Sequence, residues 1–337
     1  MDKHRNEAID IAKFICLFLM VFCHIPNVSG RFHEVIYSFH MPFFFFIGGL
    51  FFDPNRFSIK KGWQTLLFPY VVFNFIVVIL NSCIGTMTHT INLDLIFRYL
   101  CGILIGTSVE SDCALLPAGP SWFLVAYFLV KVCAKSILKR SIVIRFITIM
   151  VSLCTIFLLR KTWSWMFWSM DSAILGYSFF MIAYLVKDKV LRFMDCKKVF
   201  KLLPLFISIV CISWINGQAD MYACTWGNNP LLYFFFAFAG IATVLLVSKL
   251  MSLIPELYHF LKNYVDGAIF IICMNIWLID YSSLFYRKIF VIEGSFFWYE
   301  KVCITMVVFM ISLPCIQLLN KIAPALLGKQ KKYECAC

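Results

Sequence analysis

The run IDIAKFICLFLMVFCH (residues 9–24) is apolar apart from Asp10 and Lys13 near its start and a histidine, His24, at its close. A membrane crossing needs roughly 20 mostly apolar residues at a rise of about 1.5 Å each, and this run, entered near Ala8, reads as the first of a series. The next one contains FHMPFFFFIGGLFF (residues 39–52), where His40 and a proline precede an almost unbroken row of phenylalanines. Two histidines at the mouths of consecutive apolar segments are either interfacial decoration or the two sides of one site.

Composition supports the membrane reading. The chain is 62% hydrophobic and 14% charged, with a mean hydropathy of +0.85. A soluble domain of this size has no interior large enough for that much apolar surface. No small-residue cleavage site follows the first run, so it is expected to remain as a helix and not to serve as a removed leader. The net charge of +12 does not imply nucleic acid, because the basic residues fall between apolar segments, as cytoplasmic loops do. Many of the fifteen cysteines lie inside apolar runs, where cysteine acts as a small hydrophobe, and no pair has metal-ligand spacing. No metal is expected.

The expected architecture is all-α and polytopic, with the whole chain, 1–337, as one integral-membrane domain. About ten transmembrane helices begin near Ala8, Val35, Gln64, Ser121, Ile142, Met166, Val199, Leu231, Ala268 and Phe297. The segment Leu93–Ile105 is short and carries Arg98, so it is expected to be a re-entrant or interfacial helix. With the N-terminus inside, twenty-one lysines and arginines fall in cytoplasmic segments and six in outer ones. That bias places both termini in the cytoplasm, and it is lost if the Arg98 segment spans.

Charged groups inside spans are costly and are usually functional or paired. Lys13 and His24 are eleven residues apart, close to three turns and about 16 Å of helix, so they share a face. Such a face could hold an anionic donor at one end and present its reactive group to a base at the other. The plainer readings are that Lys13 snorkels or pairs with Asp10, and that His24 is interfacial. His40 alone is more often structural. Asp171 either orients a histidine or is a solvated helix end, and Trp122 reads as an interface anchor. Gly48 and Gly49 suit close helix approach, and the phenylalanines are expected to be lipid-facing bulk.

Taken in order, IDIAKFICLFLMVFCH, FHMPFFFFIGGLFF, KKGWQTLLFPYVVFN and PSWFLVAYF resemble the membrane-bound acyltransferase 3 family, whose members O-acylate surface polysaccharides and related glycans. The later DSAILGYSFFMIAYLVKD and DGAIFIICMNIWLI are weaker matches. The resemblance implies ten or so helices in a bacterial cell membrane, an acyl-CoA donor entering from the cytoplasm and a glycan acceptor. It also implies a basic residue ahead of a histidine on the first helix, here Lys13 and His24, with lysine where the family often has arginine. The family's arginine-rich entry to the third helix corresponds to Lys60, Lys61 and Gln64, and a histidine common in the late helix is replaced by Asn275.

On that resemblance, His24 is expected to act as general base, because an imidazole titrates near working pH. His40 would orient the acceptor or stabilise the oxyanion. Lys13, Lys60 and Lys61 would gather the phosphates of acetyl-CoA, and Asp171 and Trp122 would orient substrate. A transporter or flippase of a lipid-linked glycan is the competing reading. Such proteins often show two related halves with discontinuous helices, and no such halves are visible here.

Overall fold

Asn6 opens the first helix, α1 (Glu7–His24): its side chain accepts from the backbone N–H of Ile9, and Glu7 and Asp10 lie in the first turn, where acidic groups suit the helix dipole. Pro26, two residues past His24, forbids continuation. The structure, a computed structural model, describes residues 6–26, 30–87, 93–106, 119–159, 166–291 and 294–329.

The second apolar segment divides into α2 (Arg31–Tyr37) and α3 (His40–Leu50), with a break at Ser38 and Phe39. The break puts Pro42 in the first turn of α3, where its missing N–H costs nothing. A short α4 (Ile59–Gly62) runs through a π-helical turn (Trp63–Leu67) into α5 (Phe68–Met87). Then follow α6 (Leu93–Ile105), α7 (Trp122–Ile137), α8 (Ile142–Leu159) and α9 (Met170–Asp195). After α10 (Leu203–Cys211) comes a two-residue hairpin, β1 (Ala219–Asp220) with β2 (Thr225–Trp226), paired Ala219 to Trp226. The chain closes with α11 (Pro230–Met251), α12 (Pro255–Asp266), α13 (Ala268–Phe290) and α14 (Trp298–Ile322).

Among the described residues seven helical segments are long and apolar enough to cross a membrane, against the ten expected. The other three expected spans are helical too. In α1, Glu7, Asp10 and Lys13 charge one end; the second segment is divided between α2 and α3; and α8 is an apolar helix over Ile142–Leu159. The Arg98 segment is the short helix α6, with Arg98 Nε 2.9 Å from Asp94 Oδ2 on its exposed side.

The phenylalanines of α3 are not lipid-facing as expected. Phe43 and Phe45 are both 0% exposed, because α3 packs against α9 through glycines. A Cβ at Gly49 would fall on the Phe180 carbonyl of α9, and one at Gly176 of α9 would meet the Phe45 ring. Close approach through Gly49 therefore buries the row that sequence pattern alone assigns to lipid. Trp122 is likewise no exposed anchor: it is 6% exposed at the start of α7, with its ring 5.7 Å from that of Tyr222 in the hairpin loop.

α1 and α3 lie antiparallel, so the residues of interest gather at two opposite ends of the pair. Lys13 and the close of α3 share one cavity, whereas His24 and His40 gather at the opposite end.

Candidate active site

At the histidine end, Tyr37 is the common neighbour. Its ring lies 6.3 Å from His24, 4.8 Å from His40 and 3.8 Å, stacked, from His33. The two predicted histidines are held alike. His24 Nδ1 is 2.7 Å from the Met20 carbonyl and His40 Nδ1 is 2.9 Å from the Ile36 carbonyl, each four residues back. A carbonyl only accepts, so both Nδ1 atoms carry hydrogen and Nε2 is the lone-pair nitrogen of each neutral ring. His24 is half-buried, and His40 is 1% exposed. Among the described residues no three possible ligands gather to hold a metal ion.

The hairpin adds an acid. Asp220 stands near enough to Tyr37 for its charge to act on the phenol, and its Oδ1 accepts from the Tyr222 backbone N–H at 2.9 Å. Burial pushes Asp220 up to about 6, against the pull of the Tyr222 and Ala223 backbone N–H groups. Burial, and then the neighbouring His24, pull His33 below the ordinary imidazole value. Asn216 pins the hairpin, donating to the Trp226 carbonyl at 2.8 Å and accepting from the Asn229 backbone N–H at 2.9 Å.

Asp171 opens α9 at the same end, but its hydrogen bonds go to Ser172, from the backbone N–H at 2.7 Å and the hydroxyl at 3.4 Å. That contact stays within the first turn of α9, and Ser172 also reaches the Tyr222 carbonyl at 3.3 Å. The acid beside the aromatic cluster is Asp220.

At the opposite end lies a cavity of about 470 Å³ whose wall carries Lys13, Arg56, Lys61 and Lys131 against a single carboxylate, Asp53. Lys13 Nζ is 3.1 Å from Asp10 Oδ1, and Arg56 Nε is 3.3 Å from Asp53 Oδ2. Lys61 and Lys131 have no ion-pair partner among the described residues; Lys131 Nζ instead sits 4.2 Å over the Tyr127 ring. Lys60 is exposed and outside the cavity wall, one position from Lys61 on α4.

The cavity follows α3 upward through Phe51, Gly48, Ile47 and Phe44. Phe44 is one turn from His40, about 6 Å of rise. Phe123, one residue past Trp122, also lines it. An anion held at the lysines could therefore extend its other end toward the histidines, with phenylalanines around it to exclude water.

A family model described as an acyltransferase domain matches residues 6–326. The chain belongs to the acyltransferase 3 family. It is a membrane acyltransferase, with helices suited to an integral membrane protein. Searches of curated proteins and of solved structures found no significant match.

Within this acyltransferase, sequence pattern placed His24 and His40 at one end and Lys13 and Lys61 at the other, and it missed Lys131, Tyr37, His33 and Asp220. Lys131 had a readable signal: it is a cation inside the apolar run WFLVAYFLVKVC, as costly there as Lys13. His33, Tyr37 and His40 are four and then three residues apart, a helical stripe continued across the α2–α3 break. Asp220 had none, because only the folded hairpin carries it to Tyr37.

Proposed function

We propose that this acyltransferase moves an acetyl group from acetyl-CoA to a sugar hydroxyl of a surface polysaccharide or its lipid-linked precursor. The observation that carries the reading is the cation-walled cavity that climbs α3 to within one turn of His40. In the proposed topology ten segments cross a bacterial cell membrane with both termini in the cytoplasm, as the loop-charge bias favours. The lysine end then faces the donor pool and the histidine end faces the acceptor.

Lys13, Lys61 and Lys131 would neutralise the donor's phosphates, with Lys60 adding long-range attraction. His24 Nε2 takes the proton of the sugar hydroxyl as its oxygen attacks the thioester carbonyl. The carbon–sulfur bond then breaks, and the imidazolium returns the proton to the departing thiolate. His40 orients the acceptor or steadies the developing oxyanion. Trp122 and Asp171 shape the mouth through the hairpin loop, each by its own contact with Tyr222 or Ser172.

The test is incorporation of labelled acetyl groups into cell-surface glycan. Cells with the wild-type chain, with His24→Ala at equal membrane abundance, and with no chain are compared. Label that requires the chain and disappears in His24→Ala is the expected result. Label that requires the chain but survives the substitution removes His24 from the centre, and label independent of the chain overturns acetyl transfer.

A further inference from the structure

A second cavity, of about 540 Å³, opens at the histidine end between α5, α6 and α13. Pro26, two residues beyond His24, forms part of its wall, together with Asn81, Tyr99, Trp277, Asp280 and Tyr281. None of the roles described above uses it.

Its chemistry is specific. Asp280 is the middle of α13, a helix long and apolar enough to cross a membrane, and it has no ion-pair partner among the described residues. Asp280 is exposed at the cavity wall, and an ionisable group at that depth of a membrane helix marks a functional site by default. The Trp277 and Tyr281 rings lie 4.5 Å apart on the same face of α13. The buried Trp277 Nε1 and the Ser283 hydroxyl, both belonging to wall residues, have no hydrogen-bond partner, and a buried donor left unpaired costs roughly 1–3 kcal/mol. Arg287 is held against the rim, with its guanidinium 4.1 Å over the Phe296 ring and donating to the Gly294 carbonyl. Flat aromatic faces beside a carboxylate, an amide, a hydroxyl and an indole N–H match a ligand that has both apolar ring faces and a dense edge of hydroxyls.

We propose that this cavity binds a carbohydrate chain, with Asp280 and Asn81 taking its hydroxyls and Trp277 and Tyr281 packing on its ring faces. Resting on the glycan-acylation reading, it is the acceptor's docking site, and its wall at Pro26, two residues past His24, sets the sugar on the His24 side of the molecule. Asp280 and Trp277 bind substrate without taking part in proton transfer.

The test uses the full chain in lipid nanodiscs and fluorescently tagged polysaccharide extracted from cells that lack the chain. Binding is measured with no acyl donor present, so that it reads the cavity independently of acetyl transfer. Wild type should bind, and Asp280→Asn and Trp277→Phe should each weaken binding by about tenfold or more, as expected for a lost hydrogen bond to a charged or buried polar group, with unchanged unfolding temperature. No binding by the wild type, or equal binding by both variants, overturns the proposal. Repeating the titration after mild acid has removed any lipid carrier from the extract separates the sources. Retained affinity assigns the sugar chain itself, and affinity lost with the lipid overturns the carbohydrate assignment. Should labelled acetyl not be transferred while binding and its loss in the variants hold, the acetyl reading fails and the cavity assignment stands.

Discussion

The ring of Tyr37 meets that of His40 edge-on, with 4.8 Å between centroids. Because His24 and His33 also face Tyr37, one aromatic ring sets the spacing of the imidazoles across the α2–α3 break. Tyr37→Ala should lower kcat by about 10²-fold, the scale expected when a reacting group shifts by about 1 Å, with little change in the KM for acetyl-CoA. Tyr37→Phe keeps the ring and should restore turnover. Equal loss in both variants would instead assign the work to the phenol hydroxyl.

Removing the imidazole of His24 should cost about 10²–10⁴-fold in kcat, the range for a lost general base. Acetyl-CoA binding should persist, because the cation-walled cavity begins at the far end of α1. Single-turnover transfer alongside equilibrium donor binding separates the two, and loss of donor binding in His24→Ala would contradict the division of labour.

Neighbouring lysines on α4 should behave differently. Lys61 lines the cavity and Lys60 does not, so Lys61→Gln should raise the KM for acetyl-CoA by roughly tenfold or more, on the scale of a lost charge-assisted contact. Lys60→Gln should change it little, and that little should vanish at high salt. Matching effects from the two substitutions would move the phosphate site away from the cavity.

Asp220 predicts a pH-dependent stability. Its carboxyl is raised from 3.8 to about 6 in the folded protein, so folding favours its protonated form. The resulting penalty is absent below about pH 4, grows between pH 4 and 6, and is full above pH 6. Asp220→Asn should therefore raise the unfolding temperature at pH 8 and leave it unchanged at pH 4. A uniform shift across both pH values would mean that the charge is not responsible.

How far sequence carries can be judged from single residues. Lys13 and His24 were legible because one helix and its 3.6-residue period fix their relation. Gly48 and Gly49 signalled close approach, but the partner, Phe180 of α9, lies far along the chain, so the burial of Phe43 and Phe45 was not legible. Lys131 and Asp280 are ionisable residues in apolar runs and were open to the same reasoning as Lys13. Asp220 required the hairpin to fold against α2, a long-range arrangement that no local pattern encodes. Hydropathy likewise does not register the break at Ser38 and Phe39 that divides the second expected span.

Lys13 is already matched by Asp10 at 3.1 Å before any ligand arrives. A polyanion that engages Lys13 must share it with a carboxylate that repels the newcomer. In the proposed donor site occupancy would thereby be kept reversible, because the built-in counter-ion would reclaim the lysine when the spent donor departs. A cavity whose every cation stood unmatched would favour retention of its product, whereas the resident carboxylates, Asp10 on Lys13 and Asp53 on Arg56, would tilt the proposed donor site toward exchange.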